Sequence, residues 1–184
     1  AGWENYESGR LWGGSDQHFA FRAQFEIPKE YEAKEVVLQV STGATDIWNT
    51  DNPQFIIYIN GRECCAMDMN HNEVTLTENA IPEMCFDIGI YAYSNTSAQT
   101  NFLYLDISAP DREAERLFYD IEVPLEAAIL LEEDNPDRIF ILRVLSQAVG
   151  ILDLWEQGSQ YADRADMWET DDSFHRSIEQ ACLL

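Results

Sequence analysis

Histidines, cysteines and a surplus of carboxylates are the groups in this chain with chemistry to offer. His18, His71 and His175 lie far apart in the sequence, so neither HExxH nor a close pair of zinc-hydrolase ligands is present. His71 sits in the polar run DMNHNE and reads as a loop or strand-edge residue. Cys64 and Cys65 are adjacent, while Cys85 and Cys182 are distant, with no CxxC and no zinc-type spacing. Neighbouring positions on a strand point to opposite faces, so the adjacent pair is not expected to bridge. All four read as reduced thiols of a cytoplasmic protein, packed where they are half-buried. There is no GxSxG elbow, and GRLWGGSD lacks both the preceding strand and the lysine of a phosphate loop. A glycosidase needs two carboxylates flanking the scissile bond, but 34 acidic residues nominate no particular pair. No catalytic residue is therefore assigned, and no metal site or cofactor is expected in this chain.

The densest mixture of polar and aromatic groups is STGATDIWNTDNP, residues 41–53. Asp46, Asp51 and Asn52, with a backbone carbonyl, have the chemistry of a calcium site but not EF-hand spacing. Trp48 offers a flat face on which a sugar ring could stack. The segment reads as a ligand or interface loop centred on Trp48, and Pro53 favours extended backbone at Asn52. Trp3, Tyr6 and Trp12 also lie outside clear strand interiors. Their structural reading is as plugs at the ends of a sandwich or at a domain interface.

The elements that must carry these groups change character near Pro110. From Phe19 to Asp106 the pattern is of period two: FAFRAQFEIP sets Phe19, Phe21, Ala23, Phe25 and Ile27 against Ala20, Arg22, Gln24 and Glu26. EVVLQVS predicts a second strand, and QFIIYINGREC a hairpin closed at Asn60-Gly61, the preferred pair for a type I′ turn. EVTLT, MCFDIGIYAYS and NFLYLDISAP complete a set of short antiparallel strands with no helix between them. This predicts a mainly β fold, an antiparallel jelly-roll β-sandwich over 1–110.

Beyond it, 111–184 reads as helical. Asp111 is placed as an N-cap, with a break near Glu122 and a restart carrying Pro124 in its first turn. Asn135 caps the next helix, Pro136 takes its first position, and Ile139, Leu142, Leu145, Val149 and Leu152 fall on one face at three- and four-residue steps, an apolar stripe expected to be partly exposed. A last, weaker helix starts near Tyr161 or Ser173.

Charge narrows the partners. With 34 acidic against 11 basic residues the formal net charge is -23, and a phosphate backbone or anionic membrane would be repelled. Nucleic acid and membrane are excluded as partners on this reading. The chain is 46% apolar and 12% aromatic, so the charge reflects a solvated acidic surface rather than disorder. No apolar run is long enough to span a bilayer, and no signal-peptide pattern opens the sequence.

Several blocks, in order, resemble a known family: LWGGSDQHFAFRAQFEIP, VVLQVSTGATDIWNTDNPQFIIYINGRE, MNHNEVTL, RLFYDIEVPLEAAILL and ILRVLSQAVGILDL. They look like consecutive parts of the N-terminal region of bacterial and vacuolar-type α-mannosidases of glycoside hydrolase family 38. The resemblance implies a galactose-binding-like β-sandwich over 1–110, followed by a helical segment leading into a catalytic barrel outside this chain. That barrel would hold the zinc ion, the aspartate nucleophile and the sugar pocket. The chain itself is then expected to be a non-catalytic accessory region of a retaining α-mannosidase. Its partners would be its own catalytic barrel and further copies in a homo-oligomer. The other readings are a carbohydrate-binding module holding mannose-containing glycans through Trp48, and a stand-alone enzyme.

Overall fold

Alternation builds the first unit of the chain. The structure, a computed structural model, describes residues 2–7, 9–43, 53–96, 99–152 and 172–183. It divides into two compact units, Ala1–Pro110 and Asp111–Leu184. In the first, β1 (Gln17–Glu26), β2 (Val36–Ser41), β3 (Gln54–Ile59), β4 (Arg62–Met67), β5 (Glu73–Thr77), β6 (Cys85–Ser94) and β7 (Tyr104–Ser108) form two antiparallel sheets. The strand orders are β1-β6-β3-β4 and β5-β2-β7. Val36, Leu38 and Val40 of one sheet share a core with Phe55, Ile57, Phe86, Ile88 and Ile90 of the other. The two sheets thus make a sandwich, and each large aliphatic side chain buried between them stabilises it by about 1.5–3 kcal/mol.

The β3–β4 hairpin turns at Asn60 (φ 52°) and Gly61 (φ 76°), the left-handed pair that the sequence predicts. A bulge interrupts the same hairpin: Ile57 faces Cys65 and Tyr58 faces Glu63, leaving Cys64 as the extra residue. Cys65 packs against the core while Cys64 is exposed, and all four cysteines are free. Burial, with Cys64 beside it, pushes the Cys65 thiol up.

Trp12 plugs the sandwich. It is buried among Phe19, Phe21 and Phe55, bridges backbone to backbone with Asn101, and donates its indole N–H to the Phe102 carbonyl at 3.1 Å. Beside it the Asn101 amide donates to Ser94 Oγ at 3.1 Å, and Ser94 Oγ lies 3.2 Å from Thr96 Oγ1. Gly13 closes over these three side chains with φ 117°, and a Cβ there would come within 2.7 Å of Asn101 Nδ2. Trp3, by contrast, is 68% exposed.

The second unit contains α1 (Arg112–Ile129), α2 (Pro136–Ile151) and α3 (Asp172–Ala181). Asp111 and Asn135 cap the first two: Asp111 Oδ1 accepts from the Ala114 N–H at 3.0 Å, and Asn135 Oδ1 from the Asp137 N–H at 2.8 Å. The break expected near Glu122 is absent, because α1 runs unbroken through Pro124. Leu117 and Ile121 before the proline, and the fully buried Ala128 after it, hold one face inward on both sides of the missing hydrogen bond.

The apolar stripe of α2 is covered only in part. Ala148 and Leu152 are buried and Ile141, Val144 and Leu145 half-buried, whereas Ile139, Leu142 and Val149 are exposed. Leu117, Ala148, Leu152, Ile178 and Ala181 form the core, in which two alanines admit close helix contact. Of the two expected starts for the last helix, Ser173 lies in its first turn and Tyr161 lies outside the described residues.

Two substitutions test these constraints. Gly13→Ala should cost about 2 kcal/mol or more, read from urea unfolding, because it combines positive φ with a clash into buried polar groups. Pro124→Ala should stabilise the helical unit by about 1–3 kcal/mol, since it restores a main-chain bond inside a continuous helix.

Candidate ligand hollow on the four-stranded sheet

The outward face of the four-stranded sheet is set by strand register. β6 turns Phe86, Ile88, Ile90 and Ala92 into the core, so Asp87, Gly89, Tyr91 and Tyr93 point the other way. On that face Tyr93 is paired across β1 with His18 and across β3 with Gln54. The next rung holds Tyr91 between Ala20 and Ile56, with Ala66 beyond Ile56. Two of the three neighbours on this rung are alanines, so the Tyr91 ring stands above shallow ground and is 43% exposed.

Tyr91 is held at its polar end. Tyr91 Oη lies 2.7 Å from His18 Nδ1, and the two rings stack at 5.6 Å and 22°. The His18 ring also packs on Tyr93 at 5.0 Å. Burial, and then the negative charge of the nearby Asp16 carboxylate, push the Tyr93 phenol up. One rung further, Arg22 holds Asp87 by a two-pronged ion pair at 2.7 and 2.8 Å. The hydrogen bonds from Arg22, reinforced by its charge, hold the Asp87 carboxyl below the usual range. The guanidinium and the carboxylate thereby neutralise each other.

A wall rises from the turn after β4. Asp68 Oδ1 accepts the N–H groups of Asn70 and His71, each at 2.8 Å, and lies 3.2 Å from His71 Nδ1. The bond from the His71 N–H leads in holding the Asp68 carboxyl below its ordinary range, so it is ionised at neutral pH. All three contacts fall on Oδ1, leaving Oδ2 with none of them. Together Gln54, Ile56, Ala66, Asp68, His71 and the two tyrosines bound a hollow of about 480 Å³. That volume lies in the range of about 300–1,000 Å³ typical of small-molecule sites.

A larger groove, about 820 Å³, runs between the edge strands β1 and β7 and is lined by Trp3, Tyr6, Phe21, Phe25, Leu103 and Leu105. It is the seam where the two sheets are not joined. Tyr6 stands in it, edge-on to Phe21 at 5.3 Å, with its hydroxyl bonded to the Arg10 carbonyl. Its walls are mostly flanks of the core, so the smaller hollow is the better candidate for recognition by polar groups.

The loop residues Trp48, Asp46, Asp51 and Asn52 lie outside the described residues. Their chain does lead, through the buried Pro53, into Gln54 at the rim of the hollow. Each histidine that the sequence leaves isolated has a partner here: His18 with Tyr91, His71 with Asp68, and His175 with Glu113 at 3.0 Å and Asp111 at 3.4 Å. Among the described residues, no three His, Cys, Asp or Glu side chains converge to hold a metal ion. No helix among them is long and apolar enough to cross a membrane. The tyrosines of β6 were missed in the sequence, although their alternation with apolar residues marks them as outward-facing aromatics.

The Asp68 turn has a definite acid response. Because the folded carboxyl titrates below its unfolded value of about 4, its contribution is present above that pH and lost as pH falls through the lower folded value. A carbon-detected NMR titration should therefore place Asp68 below the ordinary aspartates, and Asp68→Ala should speed amide exchange at Asn70 and His71 at neutral pH. In comparison with known proteins, the chain matches no protein-family model, and no curated protein matches it.

Proposed function

We propose that this chain is the non-catalytic front region of a retaining α-mannosidase of glycoside hydrolase family 38. On this reading the sandwich is a jelly roll of the galactose-binding-like kind. The helices lead into and pack against a catalytic barrel, which carries the zinc ion, and contribute contacts between copies in a cytoplasmic homo-oligomer. The ordered sequence blocks supply the family.

One structural observation supports the packing role: the described helices of the second unit carry many exposed large apolar side chains beside a small core. Phe118, Tyr119, Val123 and Ile129 on α1, and Ile139 and Phe140 on α2, are each more than half exposed, and Leu130 is 87% exposed. Apolar surface on this scale marks a region that is covered by another protein surface in its working state.

The test is direct. The chain alone should release no product from an aryl α-mannoside, whereas turnover that survives repurification would overturn the accessory role. It should also bind an apolar-surface dye or self-associate in light scattering, and Phe118→Ser with Leu130→Ser should weaken both. A strict monomer with negligible dye binding would remove the packing role.

A further inference from the structure

We infer that the hollow on the outer face of the four-stranded sheet is a binding site for a neutral pyranose. A sugar ring has an apolar C–H face and a rim of hydroxyls that both donate and accept. The hollow offers the complement of each. Tyr91 and Tyr93 present aromatic surface; the Tyr91 hydroxyl is tied to His18, and the His18 ring packs on Tyr93. Rings anchored in this way lose little freedom when a ligand lies against them. Around them stand an amide on Gln54, the Oδ2 of Asp68 and the exposed imidazole of His71. These groups can accept from and donate to hydroxyls.

Charge selects against the alternatives. Asp16 and Asp68 flank the tyrosines, and the nearby guanidinium of Arg22 is committed to Asp87. A phosphate, sulfate or carboxylate ligand would meet carboxylates with no unpaired guanidinium or ammonium among the described residues of the face to offset them. A purely apolar ligand would leave Gln54 and Asp68 desolvated without partners. A neutral polyol with one apolar face satisfies both conditions, and the small Ala66 side chain in the hollow leaves room beside Tyr91 for a ring to lie.

This site goes beyond the packing role and does not depend on it; only the choice of mannosides as first probes rests on the mannosidase reading. The experiment is an amide-resolved NMR titration of the whole chain with methyl α-mannoside, α-mannobiose, methyl β-galactoside and glucose, with glucuronate as the anionic counterpart. At least one neutral sugar should shift resonances saturably on β3, β4, β6 and the Asp68–His71 turn, while glucuronate should not.

Tyr91→Ala should weaken that binding by about tenfold or more, the loss of one good stacking contact. Gln54→Ala, an exposed substitution that leaves the core untouched, should weaken it as well, and circular dichroism reports whether each variant is folded. Absence of saturable shifts with every neutral sugar would overturn the inference. So would tight binding of glucuronate, shifts confined to other surfaces, or unchanged affinity in a folded Gln54→Ala and a folded Tyr91→Ala.

Discussion

The sandwich depends on the register of a single strand. β6 is hydrogen-bonded on both sides, to β1 along its whole length and to β3, so its alternation sets that of the four-stranded sheet. Phe86, Ile88, Ile90 and Ala92 go inward because any slip by one residue would bury Asp87 and two phenols and expose three large apolar side chains. The same constraint that builds the core places Tyr91, Tyr93, His18 and Gln54 side by side on the opposite face. The hollow is thus a by-product of core packing and needs no specialised loop to hold its aromatic floor.

Stability at the end of the sandwich has a different origin. Around Gly13 the core gives way to a polar cluster of Ser94, Thr96 and Asn101, capped by Trp12. Buried hydroxyls and amides are tolerated only when paired, and here the Asn101 side chain, the Ser94 and Thr96 hydroxyls and the Gly14 N–H bond to one another. The cluster begins at the last residue of β6, so the strand that sets the sheet also anchors the chain that closes over it. A rigid floor and a bonded end favour a site that is formed before any ligand arrives.

The helical unit follows the opposite logic. Among the described residues its core cluster is small, with alanines at two of five positions, and many of its large apolar side chains are exposed. A region of this kind gains more from a surface that covers it than from its own interior. The two units thus differ: one presents an ordered polar and aromatic face, the other exposed apolar helix surface.

Local features were legible in the sequence because their causes are local. The Asn60-Gly61 turn follows from backbone sterics, the caps at Asp111 and Asn135 from side chains that reach their own helix ends, and the strands from period-two patterning. Three features were not legible, and each depends on neighbours distant in the chain. The continuity of α1 through Pro124 is decided by burial on both sides of it, and the inward turn of Ala148 by how closely helices approach at small residues. The bulge at Cys64 reflects the pairing of two strands.

The site divides in the same way. Alternation alone shows that Tyr91 and Tyr93 lie opposite the apolar face of β6. That they meet His18, Gln54 and the Asp68 turn is decided by strand order and register. Sequence by itself determined which face each residue occupies, because side-chain direction is a property of the strand. Only the tertiary structure decided which residues share that face, because cross-strand neighbours are chosen by the packing of the whole sheet.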